Sequence, residues 1–496
     1  MTNYLRKAIF GAGIVFAFSI FAAFFGYLFR LVLARNLTVE EYGLFYAIYA
    51  LISLLWIFKG LGLHQAVVKY IPEFRLKKRY DLIKNSLIST FILQIIFSGI
   101  LSLILITFSD YLALNYFNHP SASIVIKLLA MYILFKPLVF FCMSAFQGFQ
   151  NMRYYASVDL MRSIIVLVIV FIGFNLSKNV LVPGFAYMIS PIILAFIFIP
   201  ILLKKTFPQF SKLKFSVDKV LIKKLFKFGL PVMIGGASWL VMTYTDTIML
   251  TYFSGIKQVG LYNAALPTAS LLHYFSLALA TVLLPMSSEL WSRGHKEQLR
   301  AGINLLYKYS FLIIIPFALI MVSFPEILLR MLFGNEYVPA ATTLKILSIG
   351  TIFLIIARVN FSILSGIGKP KINAKIMWGV AVLNIMLNLM LIPFYGIIGA
   401  AIATSTSFLV MLILSTIYME RNIAIKIPLW LWLKILVIGI SFVWFIAYLK
   451  KALVMAPLLE ASLVIPIAAL FYVSLSFIFR VVSFTEIKEL INGLRL

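Results

Sequence analysis

"EYGLFYAIYALISLL" (41–55) and "QVGLYNAALPTASLL" (258–272) lie 217 positions apart and share a Gly-Leu pair, an alanine and a closing Ser-Leu-Leu. A second pair, "FQGFQNMRYYASVDLM" (146–161) and "LSGIGKPKINAKIMWG" (364–379), matches at an offset of 218. Two separated matches at nearly one offset point to an internal duplication. What the repeated unit is made of follows from the chain around it.

Hydrophobic residues make up 63% of the 496 positions and charged residues 12%. A soluble globule is nearer half apolar and a quarter charged. The apolar residues also come in runs of about 20, the length that crosses ~30 Å of hydrocarbon as a helix. The chain therefore reads as an all-α polytopic membrane protein. Fourteen spans are predicted, near 8–34, 43–64, 85–107, 122–147, 154–175, 179–203, 228–252, 258–287, 305–325, 338–366, 373–393, 396–419, 428–449 and 457–480. The first run follows Arg6 and Lys7 but is too long for a secretory signal and has no small-residue cleavage site, so it reads as a spanning helix.

The repeat is then six helices, and an even number preserves orientation. The halves are parallel repeats related by an axis along the membrane normal, and a transporter so built holds its substrate between them near the midplane. The predicted layout is an N-lobe at 1–203, a basic amphipathic linker at 204–227 on the cytoplasmic side, a C-lobe at 228–419, and two extra helices with a tail at 420–496. Within the linker Val217, Leu221, Leu225 and Phe226 alternate with lysines, as an interfacial helix would.

Lys and Arg crowd into alternate loops by roughly four to one, which puts both termini in the cytoplasm. Most of the +27 net charge is then topology signal and contact with anionic lipid, and nucleic acid is not needed as a partner. The single cysteine, Cys142, rules out a disulfide framework and a cysteine metal site. No Walker-type phosphate loop occurs, no metal-ligand spacing is found, and no cofactor is expected. No outer loop is long enough to house an enzyme.

Several stretches carry a family resemblance. "TDTIMLTYFSGIKQVGLYNAA" (245–265), "GIGKPKINAKI" (366–376), "LNLMLIPFYGIIGAAIAT" (387–404) and "LARNLTVEEYGLF" (33–45) resemble signature segments of the polysaccharide-transport flippases. These are the Wzx-type branch of the multidrug/oligosaccharidyl-lipid/polysaccharide (MOP) exporter superfamily. The resemblance spans about residues 8–480. It implies two six-helix lobes around a V-shaped cavity and two additional C-terminal helices. It also implies movement of a polyprenyl-pyrophosphate-linked oligosaccharide from the inner to the outer leaflet. The Asp of the TD segment, Asp246, is the one family residue carried over.

The embedded charges read as follows. A carboxylate inside a span costs roughly 2.5–3.5 kcal/mol on insertion scales and marks a partner or a task. Asp246 shares its helix face with Thr243, Met242, Trp239, Ser238 and Gly235, a stripe suited to a wet cavity. On the first helix Ser19, Ala22, Ala23, Gly26 and Arg30 form a matching face, and the repeat aligns Arg30 with Thr247. Two readings stand open: an Arg30–Asp246 pair acting as an outer gate, or Arg30 snorkelling to headgroups with Asp246 bonded locally to Thr243 or Tyr244. Lys59, Lys136, Arg162 and Arg358 lie deeper and are candidates for the pyrophosphate, Arg offering a planar fork to its oxygens. For each of them snorkelling, or for Arg162 neutralisation by Asp159 three residues away, is the alternative. Lys127, Lys308, Lys345 and Lys434 sit nearer span ends and read as snorkelling. Asn263, Ser270 and Tyr274, with Pro267, form a polar stripe that suits either sugar hydroxyls or helix packing. Trp430 and Trp432 read as belt anchors.

The function expected is a flippase for a lipid-linked oligosaccharide in the cytoplasmic membrane, working by alternating access. Its partners are the lipid-linked sugar, bilayer lipid and a coupling H+ or Na+, with Asp246 or Asp159 as carrier. A cation-coupled multidrug exporter of the same superfamily is the nearest rival, although embedded bases outnumber acids here and cationic drugs call for carboxylates. A flippase for a lipid-linked peptidoglycan precursor has the same anionic chemistry. A glycan polymerase would need a long outer catalytic loop, which the chain lacks.

Overall fold

The computed structural model describes residues 2–425, 429–453, 455–483 and 486, with side chains except at 2–9, 12, 58–59, 274–275, 277–278, 280–282 and 429. Regular structure among the described residues is helical throughout. Among the described residues, twelve helices are long and apolar enough to cross a membrane. The chain divides into two compact units, Met1–Asn263 and Ala264–Leu496.

The first unit holds α1 (Thr2–Asn36), α2 (Val39–Gly60), α3 (Leu63–Leu76), α4 (Tyr80–Thr107), α5 (Ser109–Asn115), α6 (Ala122–Gly148), α7 (Met152–Leu176), α8 (Leu181–Ile201), α9 (Lys219–Ser254) and the start of α10 (Ile256–Ala269). α2 starts at a capping box: Thr38 Oγ1 accepts from the Glu41 amide, and Glu41 accepts from the Thr38 amide. Two otherwise orphaned donors are satisfied in this way. It ends at Leu61 and Gly62, both left-handed with φ of 41° and 67°. Gly62 is required there, because a Cβ would lie 1.9 Å from the carbonyl oxygen of Gly229 on α9.

α4 shows how a bilayer inverts the usual burial rule. Its buried face is Ser86, Thr90, Gln94, Ser98 and Ser102, four residues apart, while Ile96, Ile100 and Leu103 are exposed. Lipid solvates the apolar side chains, and small polar residues allow close helix packing. Ser102, for instance, donates to the Ala130 carbonyl of α6 across 2.5 Å.

The connection 202–218 is a π turn, a 3-10 turn and an extended stretch, all strapped to the first unit. Lys84 donates to the carbonyls of Phe210 (2.8 Å) and Leu213 (2.6 Å). Asn85 exchanges two hydrogen bonds with Ser216, and Asn151 donates to Thr206. The expected interfacial helix is not a separate element. Asp218 caps the amides of Val220 and Leu221, so the amphipathic lysine-rich turns are the beginning of α9. Leu221 and Leu225 are buried in a core with Leu63, Val67 and Ile71 of α3.

The second unit holds the rest of α10, α11 (His273–Ser292), α12 (Lys296–Ser323), α13 (Pro325–Leu332), α14 (Ala341–Gly366), α15 (Pro370–Ile423), α16 (Leu429–Ala452) and α17 (Pro457–Ile478). The span expected at 258–287 is interrupted by a 3-10 turn, Ser270–Leu272, just after Pro267, which lacks an amide donor. The spans expected at 373–393 and 396–419 form one element broken at Gly396 (φ 53°, ψ −129°). Its limbs fold back on each other: a Cβ at Gly399 would sit 2.4 Å from the Leu391 carbonyl oxygen, and Asn384 donates to Thr404.

Candidate functional site: a cationic, aromatic-walled interior

In α2, Tyr42, Phe45, Tyr46 and Tyr49 follow the i, i+3, i+4, i+7 spacing of a single helix face. Phe29 of α1, Tyr132 of α6, Tyr187 of α8 and Tyr244 of α9 meet that face. Ring centroids are 5.4 Å apart for Tyr49–Tyr187, 5.3 Å for Tyr132–Tyr187, 5.7 Å for Phe29–Tyr187 and 6.4 Å for Tyr49–Tyr244.

Three of the predicted cations border this aromatic wall. The Arg30 guanidinium carbon lies 4.3 Å from the Tyr46 ring centroid, and Arg30 is hydrogen-bonded to Tyr42. It points inward and does not snorkel to headgroups. Lys136 Nζ sits 3.6 Å above the Trp56 ring and 4.9 Å from that of Tyr132. Arg162 pairs with Asp159 at 2.7 Å, and its charge acts on Tyr49, Tyr132 and Tyr187. Partial neutralisation is therefore real for Arg162. A cation over an aromatic face inside a low-dielectric bundle is held by the ring quadrupole while its charge stays available to an anion.

Asp246 is 1% exposed and accepts a 2.5 Å hydrogen bond from Tyr262. Thr243, one of the two expected local partners, donates instead to the Trp239 carbonyl. Tyr42 donates to the Asn263 carbonyl, and Asn263 donates to Thr247 Oγ1 and the Val259 carbonyl. The two gate candidates thus sit on one polar relay, in which Arg30 holds Tyr42, Tyr42 holds Asn263, and its neighbour Tyr262 holds Asp246. Asn263, expected to meet sugar, has both amide protons in use within the helices. Ser270 lies in the 3-10 turn and is half-buried. Lys59 and Tyr274 lie on described helix, and their side chains fall outside the described residues.

Arg358 belongs to the second unit. It is half-buried on α14, close enough to His273 of α11 to act on it electrostatically. Several end-of-span lysines have fixed partners, contrary to the snorkelling expectation. Lys308 binds Glu486 at 2.8 Å and Lys127 lies 3.5 Å from Asp110. Trp432 packs edge-on against Tyr307 and Phe311, so it is a packing residue, while Trp430 is exposed.

On the basic surface outside the spans, Glu73 bridges Lys77 and Lys224, each at 3.3 Å. The hydrogen bond from Lys77, joined by Lys224, holds its carboxyl below the usual glutamate range.

Two glycines with reciprocal close contacts complete the geometry. A Cβ at Gly43 would lie 2.2 Å from the Ile256 carbonyl oxygen, and one at Gly260 would lie 2.2 Å from that of Val39. Gly260 lies 217 positions after Gly43, and Ile256 217 after Val39, the offset of the aligned stretches.

A polytopic helical bundle that keeps cations against aromatic walls within its spans is, as a class, a membrane transporter. The chain belongs to the polysaccharide biosynthesis protein family, whose model matches residues 10–291, and with it to the polysaccharide flippases of the MOP superfamily; the MatE model matches 231–390. An uncharacterized membrane protein of Methanocaldococcus jannaschii is 35% identical, over 88% of this chain and 89% of that one. The "Putative O-antigen transporter" of Shigella flexneri is 27% identical, over 75% and 88%. Among solved structures, the lipid II flippase MurJ in its inward closed conformation has the same fold, with a TM-score of 0.77 at 18% identity, over 94% of this chain and 98% of that one.

Proposed function

We propose that the protein moves a polyprenyl-pyrophosphate-linked oligosaccharide from the inner to the outer leaflet of the cytoplasmic membrane by alternating access. Both termini are cytoplasmic, and no bond is made or broken in the substrate. The observation that carries this reading is the aromatic-walled interior bearing Arg30, Lys136 and Arg162. A diphosphate brings negative charge that must leave water, and it can do so only against preplaced cations. The polyprenyl tail needs no such site because lipid solvates it. The name of the Shigella relative supports a surface glycan as cargo.

Fourteen crossings in two parallel repeats support the cycle. The Gly43 and Gly260 contacts are reciprocal: each helix presents its glycine to the other's equivalent carbonyl. A two-fold axis produces that pattern, in which residue i meets j and j meets i. Asp246, buried beside Tyr262, is the candidate carrier of a coupling H+ or Na+.

Reconstitution in vesicles with a fluorescent lipid-linked oligosaccharide tests the proposal. Outer-leaflet accessibility to a lectin or glycosidase should rise only with the protein present. Active extrusion of a cationic dye without movement of the lipid-linked sugar would instead establish the multidrug alternative. For the gate, charge exchange at both Arg30 and Asp246 should restore transport lost in either single exchange; no recovery removes their pairing.

A further inference from the structure

A second feature of the first unit is a cavity of about 260 Å³ beside the cations, formed by α2, α3, α4, α6 and α9. Its wall includes Trp56 and Phe140, the amides of Gln65 and Gln94, and the bare backbone of Gly60 and Gly236. None of the described lining residues is Asp, Glu, Lys or Arg. Gln94 is 4% exposed, and it borders this open space. A Cβ on Gly236 or Gly60 would meet nothing within 4 Å.

Resting on the flippase reading, we infer that this cavity is the subsite for the first sugar ring, the one attached to the pyrophosphate. Trp56 carries the argument on position: it lines the cavity, and Lys136 Nζ lies 3.6 Å from its ring. In a lipid-linked glycan the first ring is bonded directly to the terminal phosphate. A neutral pocket one indole away from a phosphate-binding ammonium therefore has the correct spacing for that ring. An aromatic wall suits the apolar C–H face of a pyranose, and glutamine amides suit its hydroxyls, donating and accepting at once. The volume falls below the ~300–1,000 Å³ of pockets for larger ligands, so it admits one ring. His64, also on the wall, is occupied by Ser144 at 2.5 Å and shapes the pocket without reading the sugar.

The test compares two probes on the full chain in nanodiscs: undecaprenyl pyrophosphate, and the same lipid carrying a single N-acetylglucosamine. Wild-type protein should bind the sugar-bearing probe about tenfold more tightly, the effect of a few satisfied polar contacts. Gln94→Leu and Gly236→Leu should bring that ratio to about one and leave affinity for the bare lipid unchanged. Gly236→Leu fills open space and raises helix propensity, so it stays folded even if Gln94→Leu does not. A preserved ratio in Gly236→Leu overturns the subsite. Tighter binding of the bare lipid by Gln94→Leu also overturns it, by making the cavity a groove for the tail. If wild-type protein binds neither probe, the flippase reading itself fails and the subsite falls with it.

Discussion

The two units bury polarity in different currencies. In the first, Arg30, Lys136 and Arg162 stand against tyrosine and tryptophan rings. In the second, the buried polar groups are neutral: Asn360 accepts from Tyr307 (2.6 Å) and donates to Ser415 and Thr416, while Asn388 donates to Asn384 and Asn384 to Thr404. Arg358 brings charge to the second unit near the 3-10 turn, where it lies close to His273. Helix packing in lipid needs polar groups satisfied across helices, and neutral amides do that at low cost. Keeping an unneutralised cation inside costs more and persists where an anion is to be met. On the proposed function, the first unit is the one to receive phosphate and the second is the better-tied scaffold.

The sharpest way to break this contrast is to remove one cation from each unit. Lys136→Met keeps length and loses charge, and flipping in vesicles should fall about 100-fold, as for a desolvated charge-assisted contact. Arg358→Met should lower it about tenfold. Lys434→Met, whose ammonium donates to the Phe479 carbonyl at the end of a span, should leave it within about twofold at equal protein level. Equal loss in the Lys136 and Arg358 variants would make the anion site symmetric, and the contrast would fail.

A second experiment sharpens it from the backbone side. Gly43→Ala places a methyl against a main-chain carbonyl that cannot step aside, so about 1–3 kcal/mol of stability should be lost. Gly260→Ala should match it, because the contact is reciprocal. Gly26→Ala on α1 is the control, since nothing lies within 4 Å of its Cβ. Thermal melts in detergent read all three. If the Gly43 variant melts no lower than the Gly26 variant, the paired glycines do not hold the helices together.

The sequence made depth legible and left azimuth obscure. Runs of about 20 apolar residues placed nearly every helix, while the stripe through Asp246, Ser238 and Gly235, read as facing a wet cavity, is buried at Asp246 and Ser238 and exposed at Gly235. The aromatic wall escaped, although Tyr42, Phe45, Tyr46 and Tyr49 were present on one face of the very segment that reveals the repeat. Its other rings come from four more helices, and no local period signals that they converge. Trp432 illustrates the same limit: its depth suits a belt anchor, but its direction puts it on Tyr307 and Phe311. The strap of residues 202–218 was hidden for a different reason. Lys84 and Asn85 meet main-chain and hydroxyl groups well over a hundred residues away, and a backbone carbonyl carries no sequence signature.

In the second unit, Asn360→Ala should cost about 1–2 kcal/mol, near the upper end for hydrogen bonds between helices in lipid. It strands Tyr307, Ser415 and Thr416 together. The loss should appear in melting temperature with the flipping rate per folded molecule unchanged, as a scaffold role requires. A rate loss at full stability would move this amide network into the transport site.

The smallest expected effect lies outside the spans, where α9 begins. Glu73 holds Lys224 of α9 to α3, and Lys224 also lies 4.3 Å from the Tyr70 ring. Its carboxyl is lowered first by Lys77 and then by Lys224. A group whose folded pKa lies below its unfolded value stabilises the fold above the unfolded value, and loses that contribution as pH falls through the folded one. The window therefore lies below the ordinary glutamate pKa of 4.5, and near neutral pH the bridge is complete. Both partners are more than a third exposed, so solvent screening leaves a few tenths of a kcal/mol. Glu73→Gln should lower the melting temperature slightly at pH 7 and low salt, and flatten the acid limb of the stability curve. The difference should vanish near 1 M salt, where the screening length is ~3 Å. A Gln variant with the same acid limb as wild type would mean that the buried Leu221 and Leu225 alone dock α9 on α3.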